Sequence, residues 1–139
     1  MSRLRSVARA AVATLAAAAL AGCGSPPPDL FQVERSGSDP NANVNMVVSD
    51  GGSVTCNGKA HPLDADRLLT ARQLERDLEK QAELGIRLPQ GSGGELAYKV
   101  RMEAGSVTFG DESPQIPQSF LRLAAFTSDV AEHVCDIQR

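Results

Sequence analysis

The sequence predicts an α+β domain: an antiparallel sheet of about five strands with two helices packed on one face. Three observations carry that expectation. Short apolar/polar alternations recur between residues 30 and 110, bounded by Gly, Asp, Asn or Pro, the pattern of half-buried strands joined by turns. Two longer segments, opening at Asp64 and Pro117, instead repeat apolar residues every three or four positions, as one-sided helices do. Strands and helices alike have one apolar and one polar face, so each layer must cover the other.

Phe31-Gln32-Val33-Glu34-Arg35 reads as a first strand with Phe31 and Val33 inward. Ser36 to Asn43 is a Ser/Gly/Asp/Pro/Asn loop with nothing to bury. Val44, Met46 and Val48 then share a strand face, and Asp50-Gly51-Gly52 reads as the turn of a two-residue hairpin, returning through Val54 and Cys56. Asp64 to about Leu84 is the first helix, with Leu68, Ala71, Leu74, Leu78 and Ala82 on one stripe. Asp64 is its expected N-cap, Asp66 suits the positive end of its dipole, and Gly85 is placed to end it. Its other side, rich in Arg and Glu from Arg72 to Glu83, reads as a solvated face.

Pro89 to Gly94 is a second loop. Leu96, Tyr98, Val100 and Met102 alternate with Ala97, Lys99, Arg101 and Glu103, a strand wet on one side, and a turn at Ala104-Gly105 leads to Val107 and Phe109. Asp111 to Ile116 is a polar loop, and Pro117 suits the first turn of the second helix. That helix carries Phe120, Leu123, Thr127, Val130 and Val134 on its apolar stripe, with Cys135 at the edge. Gly52-Ser53-Val54-Thr55 is repeated as Gly105-Ser106-Val107-Thr108, each within a strand-turn-strand-helix order. The likeness reads either as an internal duplication or as the recurrence of a common hairpin.

Ahead of this domain lies an export signal. Arg3, Arg5 and Arg9 precede an apolar run from Ala10 to Ala21 that ends in small residues. The run is shorter than the roughly 20 residues a membrane-spanning helix needs. Its ending, Leu20-Ala21-Gly22-Cys23, resembles the lipobox of bacterial lipoproteins. That resemblance implies diacylglycerol on the Cys23 thiol and cleavage just before it, giving a signal peptide over 1–22. Residues 23–29 form a lipidated cysteine and proline-rich tether, and 30–139 the domain. Two acyl chains on one residue give a stable anchor where a single chain would not. The tether, Gly24-Ser25-Pro26-Pro27-Pro28, is stiff and lifts the fold less than roughly 20 Å from lipid. The expected location is the extracytoplasmic face of the cell membrane.

Cleavage removes three of the 14 basic residues and none of the 17 acidic ones, leaving a formal charge of −6. So acidic a domain makes nucleic acid a poor partner. With Cys23 lipidated, Cys56 and Cys135 remain, and an exported domain with one pair is expected to join them. A Cys2His2 zinc site with His61 and His133 is the competing reading. It is disfavoured because His133 and Cys135, two apart on the expected helix, would point about 200° apart. No nucleophile–base motif or phosphate-binding glycine loop occurs. The acid pairs Asp64/Asp66 and Asp111/Glu112 suit a helix start and a turn. Neither an enzyme, a cofactor nor a metal is expected.

Phe31-Gln32-Val33-Glu34-Arg35-Ser36-Gly37, the Tyr98 strand, Val107-Thr108-Phe109 with its acidic loop, and Ile116-Pro117 opening a helix together resemble emfourin-type proteins, small inhibitors of thermolysin-like metalloproteases. The likeness spans most of residues 30–130 in outline. The chain departs from that pattern at Ser38-Asp39-Pro40, in the anchor and in the cysteine pair. The expected function is a membrane-anchored, non-catalytic binding module with a protein partner at the envelope, and the resemblance implies protease inhibition. The alternative is a structural or accessory envelope lipoprotein. The expected contact loops are Ser36–Asn43, Pro89–Gly94 and Asp111–Gln115.

Overall fold

Alternate burial along most strands underlies a single antiparallel sheet in the computed structural model, which describes residues 29–139. The strands are β1 (Asp29–Gly37), β2 (Val44–Ser49), β3 (Ser53–Cys56), β4 (Lys59–Pro62), β5 (Leu96–Met102) and β6 (Gly105–Gly110). Their order across the sheet is β4-β3-β2-β1-β5-β6. Helices α1 (Ala65–Glu83) and α2 (Gln118–His133) complete the α+β fold. The signal, the lipobox residues Leu20, Ala21 and Gly22, and the lipidation site Cys23 lie outside the described residues. Among those described, no helix is long and apolar enough to cross a membrane.

The sheet has six strands, not about five. The extra one, β4, follows Asn57-Gly58, whose φ angles of 49° and 85° make the two-residue turn that matches strand twist. Cys56 pairs with Lys59 across it, so His61 is a strand residue and not a loop residue. The hairpin before it was expected to turn on two residues. It turns on three, Asp50 to Gly52, with Ser49 paired to Ser53 and the positive φ of 84° at Gly52. β4 is also an edge, blunted by Lys59 and by Pro62, which has no N–H to offer another strand. At the other edge, Leu88 donates to the Thr108 carbonyl (2.8 Å) and Thr108 to that of Ile86 (3.0 Å), so a short parallel segment covers β6.

The inward residues of β1, β2, β3, β5 and β6 meet both helices in one core. Phe31 packs edge-on against Phe126 (6.0 Å between centroids). Phe109 sits between Tyr98 and Phe120, 4.9 Å from each. α1 has the expected caps: Asp64 Oδ1 accepts from the Arg67 N–H (2.9 Å), and Gly85, at φ 61°, donates to the Ala82 carbonyl (3.0 Å). The open face of the sheet is polar, with Gln32 donating to Asn45 and Arg101 paired with Glu34.

Topology does not support a duplicated unit. β2 and β5 both run antiparallel to β1 and are therefore parallel to each other. β3 lies on one side of β2, whereas β6 lies on the opposite side of β5. Both hairpins direct their apolar residues to the same face. They thus have opposite hands, and no rotation or shift within the sheet superposes them. The shared Gly-Ser-Val-Thr marks two strand starts with an inward valine, Val54 and Val107.

Cys56 and Cys135 form a disulfide, with Cα atoms 6.2 Å apart and a sequence separation of 79. It ties the segment after α2 to β3. α2 ends at His133, so Cys135 lies past the helix and not on its edge as expected. Because a loop this long costs the unfolded chain much of its freedom once closed, breaking the link should remove about 2–4 kcal/mol. We expect urea unfolding of the Cys56→Ala/Cys135→Ala protein to show that loss together with a larger m-value, because the opened unfolded chain exposes more surface. A midpoint equal to that of the parent would contradict it.

Candidate functional site

Strand direction divides the molecule into two ends. Asp29 pairs with Ser49, and Met102 with Gly105, so the start of β1 lies with the β2–β3 and β5–β6 turns. At the other end Gly37 pairs with Leu96, and Ala97 with Gly110. The three loops singled out from the sequence leave the sheet from this second end, side by side. Nine residues of β1 separate the two ends, roughly 26 Å at strand rise.

Two of the loops are interlocked by one amide. Gln90 Nε2 donates to the Leu96 carbonyl (2.9 Å) and to Asp111 Oδ1 (3.1 Å), while its Oε1 accepts from Gly91 N–H (3.1 Å) and Glu112 N–H (3.2 Å). Asp111 also accepts from the Glu95 N–H at 3.0 Å. The acid pair Asp111/Glu112 is therefore held as a turn, with the Asp111 carboxylate occupied. Of the expected Ser36–Asn43 loop, Ser36 and Gly37 belong instead to β1, paired with Ala97 and Leu96, and the remainder is equally ordered. Pro40–Ala42 forms one 3-10 turn, capped by Asp39 Oδ1 accepting from Asn41 N–H (2.8 Å), and Ala42 is buried. The expectation that this loop buries nothing is corrected there.

Below it lies a residue that the sequence reading passed over. Arg35 is only 2% exposed. Its Nε donates to the Ala42 carbonyl (2.9 Å), Nη2 to the Asn41 carbonyl (3.2 Å) and Nη1 to Ser128 Oγ on α2 (3.4 Å). Tyr98 is its cross-strand partner. Burial pulls the Arg35 pKa down and pushes the Tyr98 hydroxyl up. The surface of this end carries Asp39, Glu95 and Glu112, with Arg139 3.6 Å from Glu95.

A second concavity of about 620 Å³ lies between α1 and α2, floored by Leu74, Ala125 and Phe126, with the exposed Leu69 on its rim. Ion pairs bridge it: Arg67 to Asp129 (2.7 Å) and Arg122 to Asp77. Arg67 also reaches the helix cap Asp64 at 2.5 Å. Hydrogen bonds to Asp129 and then Asp64 raise the Arg67 pKa. Bonds from Arg67 lower Asp129 and Asp64, and a bond from Arg122 lowers Asp77.

His61 and His133, far apart in sequence, line one hollow beside Asp64 and Arg67, and His133 Nδ1 lies 3.1 Å from Asp129 Oδ1. With both sulfurs in the disulfide, neither cysteine offers a thiolate to complete a Cys2His2 set. Among the described residues, no group of three or more His, Cys, Asp or Glu side chains is placed to hold a metal ion. Toward the C-terminal end of α1, Glu75, Arg76, Glu79 and Glu83 share one hollow with Glu103. Burial, then the charges of Asp50 and Glu79, push the Glu75 carboxyl up.

The chain matches no protein-family model, no curated protein and no solved structure.

These shifts fix the sign of the acid response. Asp64, Asp77 and Asp129 titrate lower in the fold than in the unfolded chain, so their contribution is complete above roughly pH 4 and is lost as pH falls through the folded values. Arg67→Met should flatten the fall in Tm between neutral and strongly acid pH. Glu75 has the opposite sign, because its ionised form disfavours the fold at neutral pH. Glu75→Gln should stabilise by less than about 1 kcal/mol at neutral pH, and the gain should vanish once the parent Glu75 is protonated. Thermal melts of both variants across pH check the two slopes.

Proposed function

We propose that the chain is a lipid-anchored, extracytoplasmic binding module whose loop end takes a protein partner at the cell envelope. The observation that supports this most is the position of the loops. They gather at the end of β1 opposite Asp29, the last residue of the 23–29 tether segment. A domain held by Cys23 through so short a tether stays near the lipid, yet offers those loops to whatever lies beyond. The anchor fixes where the module works, and the sheet fixes which way its loops face. Ordered loops on a rigid scaffold suit recognition, because the partner need not be bound at the cost of ordering them.

The emfourin-like outline narrows the partner to a thermolysin-like metalloprotease of the envelope. Inhibition by such a module needs no catalytic group of its own. It needs a surface that occupies the enzyme's cleft, and the interlocked loops at Gln90 and Asp111 supply a firm one. The second reading, a structural envelope lipoprotein, applies where no stoichiometric partner is recovered.

Two experiments test these statements separately. Cys23→Ser should abolish labelling by a palmitate analogue in the producing cells and leave a heavier precursor, and normal labelling and maturation would refute the anchor. The mature protein should inhibit thermolysin-like proteases of the same envelope fraction at sub-micromolar concentration. Replacing Ser36–Asn43 by a Gly/Ser linker should weaken that inhibition by about tenfold or more, the scale on which central contact residues act. Should neither inhibition nor a crosslinked partner be found, the structural reading holds.

A further inference from the structure

We infer that Arg35 is the positioning residue of the loop end: from inside the core it sets the shape in which the turn Ser38–Asn43 is offered to a partner. The recognition part of this inference rests on the function proposed above, while the positioning part stands on geometry alone. β1 is the central strand, and Arg35 occupies an inward position on it where the alternation demands an apolar residue. The described residues place no carboxylate within ion-pair distance of it. A buried guanidinium is costly unless its donors are used. Here two of its nitrogens are spent on main-chain oxygens of one turn, Asn41 and Ala42, and a third on Ser128 of α2.

The consequence is directional. Drawing the two carbonyls inward turns the polar side chains of the segment outward, and Ser38, Asp39, Asn41 and Asn43 are all exposed. Asp39 in turn holds Asn41 N–H, and Ala42 N–H bonds back to the Asp39 carbonyl at 2.9 Å. The turn is thus held from within by Arg35 and from its own start by Asp39. It presents the Asp39 carboxylate and the Asn41 amide beside the Glu95–Arg139 pair, and so fits a polar protein surface that offers N–H donors to the turn and an acceptor to Arg139. A lysine at position 35 keeps the charge but lacks the planar fork that reaches three acceptors at once.

Hydrogen exchange on the mature protein tests the positioning, with thermolysin as the binding probe. Arg35→Lys should speed exchange of the Ala42 amide by about tenfold or more, the equivalent of one hydrogen bond to a charged group, while Val100 and Val107 exchange as in the parent. Ser128→Ala should give a smaller change in the same place, and it covers the case in which Arg35→Lys fails to fold. Where the parent inhibits thermolysin, the variants should inhibit less in step with the Ala42 exchange, at unchanged exchange of the core. If Ala42 exchange is unaltered in Ser128→Ala and in any folded Arg35→Lys protein, or rises only together with that of Val100 and Val107, Arg35 is an ordinary core residue and the inference falls. If Ala42 exchange rises alone and the parent inhibits neither thermolysin nor a thermolysin-like protease of its own envelope fraction, the positioning stands and the protease reading falls.

Discussion

The inward face of β1 is the constraint on which the rest depends. Phe31, Val33 and Arg35 point from the middle of the sheet into the helix layer, with β2 on one side and β5 on the other. Phe31 meets Phe126 of α2, and Arg35 meets Ser128 two residues further along it. Each fully buried large apolar side chain contributes about 1.5–3 kcal/mol, whereas an exposed ion pair contributes at most about 1 kcal/mol. The pairs Arg67–Asp129 and Arg122–Asp77 therefore register the helices against one another, and the aliphatic and phenyl layer beneath them supplies the stability. With no Trp and four Phe in the chain, that layer is thin. The disulfide beside it carries correspondingly more.

From this follows the way the helices lie. α1 passes the β2–β3 turn, where Arg72 reaches Asp50 (2.6 Å), and ends against Gly105 at the start of β6. It thus crosses the sheet at the Asp29 end. α2 returns across the loop half, from Phe120 on Phe109 to Cys135 on Cys56. Each helix covers one half of the strands' length, and the groove between them is the seam. An Arg on each helix reaching an Asp on the other bridges that seam at two points along it.

Where local chemistry decides an element, the sequence was readable. Asp64, Gly85 and the Leu68-to-Ala82 stripe place α1 almost to the residue, and Leu96 to Met102 place β5. Asn57-Gly58 was equally readable as a hairpin turn, but β4 behind it has no apolar alternation to draw the eye: Lys59, Ala60, His61 and Pro62 are an edge that needs none. Handedness could not be read at all, because two hairpins of opposite hand share the same alternation. The half-exposed segment Ile86–Leu88 joins the sheet through main-chain bonds, which leave no side-chain pattern. The candidate contact loops were legible as loops. That they lie at one end, and that Gln90 and Arg35 order them, depends on partners distant in sequence.

Arg35 shows why the most consequential residue of the loop end was the least visible. Phe31-Gln32-Val33-Glu34-Arg35 alternates without a break, and the period alone puts Arg35 inward with Phe31 and Val33. Charge argues the other way, since an arginine is seldom fully buried. The conflict is resolved only by main-chain carbonyls that a tight turn leaves without partners. Pro40 removes one N–H from the turn, and the 3-10 geometry of Pro40–Ala42 leaves the oxygens of Asn41 and Ala42 pointing back toward the sheet. An apolar residue at position 35 would leave the buried Ala42 carbonyl unpaired, at about 1–3 kcal/mol, and release that of Asn41. The guanidinium and the turn therefore require one another. A local breach of the apolar pattern, in the centre of an otherwise consistent strand, is where this fold commits stability to the form of a surface.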